Sequence, residues 1–262
     1  MDQIAIYKGP IVTITNDQMR MLDNLMENKY GINLYQMMEN AGRCLAILSK
    51  EYCIGKNAKG KKIAVLAGSG GNGGGVITAA RRLYNWGAAV SVFLAKPEAN
   101  FKSVPLTQLH SARKIGIPIL AGEYVQQAEN FDLILDGIFG YSLKDAPHGL
   151  AKSMIEWANS QRAKVLSLDV PSGIELDTGI IHQSTVKAYA TLTIALPKSA
   201  LLSEDSSEFV GKLFLADISV PRALYNELEL GFEIPEYFEE SDIVQLKGDM
   251  SKVKQPNTKR TV

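Results

Sequence analysis

The feature that most constrains the fold is a short apolar run that leads into a glycine-rich segment and then into a helical pattern. Ile63–Ala67 is continuously apolar and is bounded by turn residues, which is typical of a strand buried on both faces of a parallel sheet. The glycine-rich segment Gly68–Gly75 follows, and a helix is predicted from Val76 to about Trp86. A strand, a glycine loop and a helix in this order indicate an α/β fold.

Apolar runs and amphipathic segments alternate along the rest of the chain. A helix is predicted to begin after the N-cap residue Thr15 and to end before Gly31. Further helices are predicted at about 34–52, 106–115 and 149–161, and strands at 89–94, 118–120, 131–136, 164–169, 190–195 and 211–216. Strands that alternate with helices form a parallel sheet covered on both faces. We therefore predict an α/β fold, a three-layer Rossmann-like sandwich with a mostly parallel sheet and helices on both faces.

Length and composition fit one domain. The 262 residues are 46% hydrophobic, which is enough for one sizeable core. We predict a single domain over residues 1–248, which begins with a loose N-terminal arm at 1–12. Residues 249–262, where Lys, Ser, Asn and Thr are frequent, are predicted as a disordered tail.

Charge, apolar runs and cysteines exclude several classes of protein. Lys plus Arg and Asp plus Glu both number 28, so the formal net charge of zero gives no general attraction to nucleic acid or anionic membranes. No stretch approaches the roughly 20 apolar residues of a membrane span, and the amino terminus lacks the pattern of a secretory signal. Cys44 and Cys53 are predicted as small buried residues. We expect a cytoplasmic protein with neither a nucleic-acid nor a membrane partner.

Two acidic residues are predicted where apolar strands end. Asp136 begins the segment Asp-Gly-Ile-Phe-Gly140, and Asp169 begins Asp-Val-Pro-Ser-Gly173. Ligands bind at the carboxyl ends of strands in an open parallel sheet, and a glycine segment before a helix favours an anion. The alternatives are a glycine-rich turn without a ligand and aspartates that only cap the turns after their strands. The glycine spacing fits neither the usual dinucleotide motif nor the P-loop.

These motifs, in this order, resemble the YjeF N-terminal-domain family, the NAD(P)HX epimerases, over almost the whole chain. The glycine segment falls where the family carries GxGNNGGDG. The two aspartate segments resemble the family's DAIFG and DIPSG. Further resemblances lie at 15–23, 38–42, 195–198 and 216–221.

The resemblance implies a function in the repair of nicotinamide cofactors. The family interconverts the R and S hydrates of NADH and NADPH. The implied partners are hydrated NADH or NADPH as substrate, a separate NAD(P)HX dehydratase that accepts only the S form and acts downstream, and, as one option, a second copy of the chain in a homodimer.

Carried over position by position, the resemblance also implies three groups of site residues. Asp169 would touch the hydrated nicotinamide ring and act as the catalytic residue. The ligands of a bound potassium ion (K+), a hard cation that prefers oxygen donors, would be Asn72, Asp136 and Ser172. The substrate-binding residues, most of them along its phosphates, would be Gly71, Asn72, Gly73, Gly74, Gly75, Gly140, Tyr141, Ser142, Leu143, Lys144, Asp145, Ala146 and Asp169.

The glycine segment departs from the family pattern at three positions. Gly71 replaces the family's first Asn, Gly75 replaces its Asp, and Val76 replaces the next Gly, whereas Asn72 is kept. We expect the missing carboxylate to orient the loop rather than to carry the chemistry. Two alternatives stay open: a non-catalytic module that binds a nucleotide-like ligand or a protein on the same fold, and another enzyme of nucleoside or nicotinamide derivatives. Fold resemblance alone does not choose among them.

Overall fold

Nine strands form one sheet in the computed structural model, which describes residues 4–228, 230, 233–247 and 253–254. The strands are β1 (Ala5–Tyr7), β2 (Lys62–Ala67), β3 (Ala89–Leu94), β4 (Ile119–Ala121), β5 (Leu133–Gly137), β6 (Lys164–Leu168), β7 (Ala190–Ile194), β8 (Lys212–Ala216) and β9 (Ile243–Leu246). Their order across the sheet is β1-β9-β8-β7-β6-β5-β2-β3-β4. Neighbouring strands are parallel, except that β8 and β9 are antiparallel.

Helices cover both faces of this sheet. They are α1 (Asn16–Asn28), α2 (Leu34–Leu48), α3 (Gly71–Asn85), α4 (Ser103–Lys114), α5 (Gly149–Ser160), α6 (Ser207–Val210) and α7 (Arg222–Glu227). Apolar side chains of α1 to α4 and α7 pack in the larger core on one face, and those of α5 pack in a second core on the other face. The side chains of β2, β5 and β6 are almost all buried, as expected for central parallel strands. The predicted three-layer α/β sandwich is confirmed.

The two helices beside the candidate site begin at residues that cap them. The Thr15 hydroxyl accepts the Gln18 N–H at 3.2 Å, and the Gln18 side chain accepts the Thr15 N–H at 3.0 Å. Asn33 and Gln36 make the same reciprocal pair at the start of α2. These capping boxes satisfy N–H groups that a helix start leaves unpaired. The cap that the sequence predicts at Thr15 is confirmed.

The N-terminal segment is not the loose arm that we predicted, as far as it is described. β1 pairs in parallel with β9, and Ile11 and Val12 are buried. The Val12 N–H donates to the Tyr237 hydroxyl at 2.8 Å. A three-residue edge strand carries too little alternation to be recognised by itself, because its stability depends on a partner far along the chain.

The predicted tail at 249–262 lies outside the described residues, apart from 253–254. There, Lys254 forms a parallel bridge with Val12, and its carbonyl oxygen accepts the Thr13 N–H at 3.1 Å. Lys254 therefore lies against residues 11–13, the segment that follows β1.

Two expectations from composition concern the cysteines and membrane spans. Cys44 and Cys53 are both buried and free, as predicted, and burial raises the pKa of each thiol to about 12. Within the described part of the chain, no helix combines the length and apolarity that crossing a bilayer requires.

Candidate functional site

A cavity of about 760 Å³ lies at the carboxyl end of the central strands. Its walls come from α1, α2, the start of α3 and the segments that follow β3, β5 and β6. Small-molecule sites in open α/β sheets occupy this position, and the volume is within their usual range. The predicted residues that line it are Gly71, Asn72, Gly73, Gly75, Gly140, Tyr141, Ser142, Leu143, Lys144, Asp145, Ala146 and Asp169.

The glycine segment is only partly a loop, because α3 begins inside it. Gly70 is the N-cap residue, and Gly71–Gly75 already form the start of the helix. The prediction that the helix begins at Val76 is therefore wrong, since packing overrides the low helix propensity of glycine. The N–H groups of a helix's first turn have no partner within the helix and carry partial positive charge. Because Gly71–Gly73 line the cavity, this helix start can bind an anion there.

Close packing explains two of these glycines. A Cβ atom on Gly73 would lie 1.7 Å from the Gly68 carbonyl oxygen, so only glycine fits. A Cβ atom on Gly74 would lie 2.6 Å from the Met38 sulfur. Gly74, which we predicted to bind substrate, does not line the cavity and instead lets α2 and α3 approach closely.

The three predicted metal ligands meet in one hydrogen-bond network. The Asn72 side-chain nitrogen Nδ2 donates to the carbonyl oxygens of Phe139 (2.9 Å) and Leu168 (2.7 Å). Ser172 Oγ accepts the Phe139 N–H at 2.9 Å and donates to Asp136 Oδ1 at 2.6 Å. The network thus connects the segments that follow β5 and β6 to the start of α3.

Asp136 lies within β5 rather than at its end, because the strand continues to Gly137. Its buried carboxylate accepts hydrogen bonds from the Ser172 N–H and hydroxyl, the Ser167 hydroxyl and the Ile138 N–H. Burial raises the pKa of Asp136, and these donors oppose that increase. Neither Asp136 nor Ser172 lines the cavity, so both support its wall from behind.

The donor types in this network fit a hard monovalent cation. A carboxylate, a hydroxyl, a side-chain amide and the carbonyl oxygens of Phe139 and Leu168 come together there. Oxygen donors of these kinds are what hard cations prefer. The side-chain oxygen of Asn72 would join these cation ligands if its amide group were flipped, because in the present orientation the amide nitrogen faces the two carbonyl oxygens.

Asp169 lies on the cavity wall immediately after β6 and is fully buried. Its Oδ1 atom accepts from Lys198 Nζ and from the Thr193 hydroxyl at 3.2 Å. Its Oδ2 atom has no hydrogen-bond partner among the described residues. Its φ of 64° is uncommon for a residue other than glycine, and such conformations cluster at functional sites. A buried oxygen without a partner is costly and indicates a ligand-binding position.

Lys198, to which the sequence analysis assigned no role, holds Asp169 in place. Its side chain is buried, and Nζ also donates to the Thr193 hydroxyl at 3.2 Å and to the Ile194 carbonyl oxygen at 3.0 Å. A buried ion pair persists only when its donors and acceptors are satisfied in this way. The resemblance at 195–198 was the one signal that pointed to it.

Asp23 is a second acid at the cavity that sequence reasoning missed. α1 places it on the cavity wall, where the Tyr141 hydroxyl donates to its Oδ2 atom at 2.8 Å. Burial raises the pKa of Asp23, the Tyr141 hydrogen bond and Lys198 oppose this, and the charge of Asp169 adds to the increase. Two carboxyl groups on one cavity wall, of which Asp23 has a raised pKa, are an arrangement suited to acid–base chemistry.

The segment 140–146 forms another wall of the cavity and is anchored to α1. The Asn16 side-chain nitrogen donates to the Tyr141 carbonyl oxygen at 2.9 Å. Lys144 in this segment is exposed and makes no ion pair with another described residue. Its ammonium group is therefore free to meet an anionic ligand.

Comparison with known proteins yields one family. The family described as YjeF-related protein N-terminus matches residues 34–200. The NAD(P)H-hydrate epimerase of Dehalogenimonas lykanthroporepellens is 38% identical over 224 residues, which are 84% of this chain and 87% of that relative. The NAD(P)H-hydrate epimerase of Limosilactobacillus fermentum is 32% identical over 204 residues, 78% of this chain and 95% of that relative.

Larger and solved relatives agree with this match. The bifunctional NAD(P)H-hydrate repair enzyme Nnr of Moorella thermoacetica is 36% identical over 80% of this chain, which spans only 41% of that relative's length. The crystal structure of the yeast protein ynu0 matches this chain with a TM-score of 0.75 and 25% sequence identity. The match covers 89% of this chain and 99% of the yeast chain. The family match extends over more than half of the chain, and we conclude that the chain belongs to the family of the YjeF-related protein N-terminus.

Proposed function

We propose that this chain interconverts the R and S hydrates of NADH and NADPH, with the hydrated ring bound beside Asp169. The observation that carries the proposal is that Asp169 Oδ2, without a partner among the described residues, and the second acid Asp23 both belong to the wall of one cavity. The similar proteins named NAD(P)H-hydrate epimerase support the same reaction.

The two carboxyl groups would divide the acid and base roles. Asp23, whose pKa is raised by burial, would give a proton to the hydroxyl group on the ring carbon that changes configuration, so that the group leaves as water. Water would then return to either face of the ring and give a proton to Asp169, from which a proton returns to Asp23. Positioned acids and bases contribute about 10²–10⁴-fold each. Lys198 and Thr193 occupy Asp169 Oδ1, which leaves Oδ2 for the substrate.

The remaining predicted residues would bind the rest of the dinucleotide. The N–H groups of Gly71–Gly73 would bind the pyrophosphate, and Lys144 would add a positive charge. Asn72, Asp136 and Ser172 would hold a potassium ion, which would supply a fixed positive charge next to the glycine segment. Asn72 and Ser172 already form hydrogen bonds with the backbone of Phe139, which connect the glycine segment to the segments that follow β5 and β6.

The direct test uses the purified chain and the R hydrate of NADH. We expect the R and S forms to equilibrate faster than they do spontaneously, as measured by chromatographic separation of the two epimers. The Asp169→Asn variant should lose this activity, whereas Asp205→Asn, which changes an exposed aspartate, should keep it. Equal rates with the wild-type chain and with buffer would contradict the proposal.

Gly75 favours a second candidate function, that of a module that binds a ligand without catalysing its conversion. A Cβ atom at this position would lie 2.5 Å from Leu168 Cδ2, so the space of the family's loop carboxylate is filled by Leu168. Restoring the carboxylate therefore needs Gly75→Asp together with Leu168→Val, with Leu168→Val alone as the control. The epimerase proposal predicts an active wild-type chain and equal or higher activity in the double variant. An inactive wild-type chain beside an active double variant would establish the binding module instead.

A further inference from the structure

The segment after β3 brings a lysine to the cavity. Lys96 lies two residues beyond β3, is exposed and lines the cavity. Leu94 pairs with Ala67, the last residue of β2, and the Ala95 N–H donates to the Ala67 carbonyl oxygen at 2.9 Å. Ser69, which lies two residues beyond β2 in the glycine segment, also lines the cavity.

The order of the strands separates Lys96 from Asp169. Asp169 follows β6, the glycine segment follows β2, and Lys96 follows β3, in a sheet ordered β6-β5-β2-β3. Adjacent strands are about 4.8 Å apart, so the ends of β6 and β3 are about 14 Å apart. A dinucleotide with its hydrated ring at Asp169 and its pyrophosphate at the start of α3 would extend its adenosine half toward Lys96.

The charge of Lys96 is not neutralised by its neighbours. Lys96 makes no ion pair with a described residue, and the nearest acid along the chain, Glu98, is bound by both terminal nitrogens of Arg113 at 2.7 and 2.5 Å. The Arg113 hydrogen bonds also lower the pKa of Glu98, which shows how fully that carboxylate is engaged. In dinucleotide-binding α/β domains, an acid after the next strand binds the ribose hydroxyl groups, whereas a cation there accommodates a 2′-phosphate.

We propose that Lys96 forms a subsite for a phosphate monoester on the adenosine ribose, so that the chain binds 2′-phosphorylated dinucleotides in preference to unphosphorylated ones. The orientation of the ligand rests on the proposed function, which places the hydrated ring at Asp169. An ammonium group and a phosphate of charge about −1.5 to −2 form a strong, salt-sensitive contact.

The test measures binding of two stable probes, 2′-phospho-ADP-ribose and ADP-ribose, by isothermal titration calorimetry with the full chain. We expect the wild-type chain to bind the phosphorylated probe about tenfold more tightly, a preference that falls as salt rises. Lys96→Ala should bring the two dissociation constants to within about twofold by weakening only the phosphorylated probe. Lys96→Glu should reverse the preference, because like charges repel.

Two lysines serve as comparisons. Lys102→Ala, which removes an exposed lysine outside the cavity, should leave both dissociation constants unchanged. Lys144→Ala should weaken both probes alike. An undiminished preference in Lys96→Ala, or equal affinities in the wild-type chain, would overturn the inference. Because the probes undergo no reaction, a chain without epimerase activity would leave this result standing, so the two proposals can fail separately.

Discussion

The proposed mechanism gives the Asp169 carboxylate a catalytic role, and its ion pair with Lys198 gives it a structural one. Asp169→Asn should lower epimerisation by about 10²–10⁴-fold, because an amide cannot exchange the proton. It should also destabilise the fold by about 3–5 kcal/mol, since it leaves the buried Lys198 ammonium without its partner. Epimer separation and urea unfolding measure the two effects.

The double variant Asp169→Asn with Lys198→Met distinguishes the role of Asp169 in epimerisation from its role in fold stability. It removes both charges and should recover most of the lost free energy of unfolding, whereas the activity should stay lost. Recovery of activity together with stability would show that Asp169 acts only through the fold.

Asp23 should make the stability of the fold depend on pH. Burial raises its pKa above that of the unfolded chain. The contribution of Asp23 to the free energy of unfolding is therefore fully present below its pKa in the unfolded chain, about 3.9, and is lost as the pH rises through its pKa in the folded chain. Asp23→Asn does not ionise and can still accept the Tyr141 hydroxyl, so it should lose less stability than the wild-type chain as the pH rises above about 4. Urea unfolding at several pH values measures this difference.

Asp132 provides a control of opposite sign. A hydrogen bond from the Lys62 N–H, together with Lys61, lowers the pKa of Asp132. Its contribution is thus present above the unfolded pKa and is lost as the pH falls, so Asp132→Asn should reduce the loss of stability in acid. A pH profile of Asp23→Asn that coincides with that of the wild-type chain would show that Asp23 ionises as freely in the folded chain as in the unfolded one.

At the scale of elements, the start of α3 depends on a glycine that permits backbone contact. Gly73→Ala should destabilise the fold by about 1–3 kcal/mol or more and weaken ADP-ribose binding, because its Cβ would overlap the Gly68 carbonyl oxygen. Gly71→Ala is the matched control. Its Cβ meets nothing within 4 Å, so it should stabilise the helix by about 0.5–1 kcal/mol. Thermal unfolding compares the two, and equal midpoints would contradict the packing argument.

Strands and helices with strong local patterns could be predicted from the sequence, and those that depend on distant partners could not. The central strands were recognisable because both of their faces are buried, which makes the sequence continuously apolar. β1 and β9 are three and four residues long and depend on pairing with other strands, β1 with β9 and β9 with both β1 and β8, so neither has a pattern of its own. The early start of α3 was missed because local propensity disfavours a helix of glycines.

The residues of the candidate site divide in the same way, into those that local motifs predict and those that depend on the tertiary fold. The resemblance identified Asp169 and the segments that line the cavity, because these residues lie in recognisable motifs. Asp23 was missed because an aspartate on an amphipathic helix normally faces solvent, and only the tertiary fold turns it toward Tyr141. Lys198 was missed for a related reason, since lysine is almost never fully buried unless it is paired.

For the molecule as a whole, the proposed potassium ion should act as a stabilising ligand. A ligand that binds only the folded state raises the unfolding temperature by mass action. We expect a higher midpoint and tighter ADP-ribose binding in potassium chloride than in tetramethylammonium chloride at equal ionic strength. Ser172→Ala should reduce that difference. Equal midpoints in the two salts would argue against a functional ion site.

The contacts of residues 12 and 13 with Tyr237 and Lys254 have a consequence for how the molecule assembles. The contacts of Val12 with Tyr237 and of Thr13 with Lys254 join residues 225 and 241 positions apart, whereas the strands around the cavity have partners much nearer in sequence. Contacts between distant positions carry the largest loop-closure entropy and slow the folding of a chain. During synthesis these contacts can form only after Tyr237 and Lys254 have emerged, so the strands that bear the cavity can come together before them.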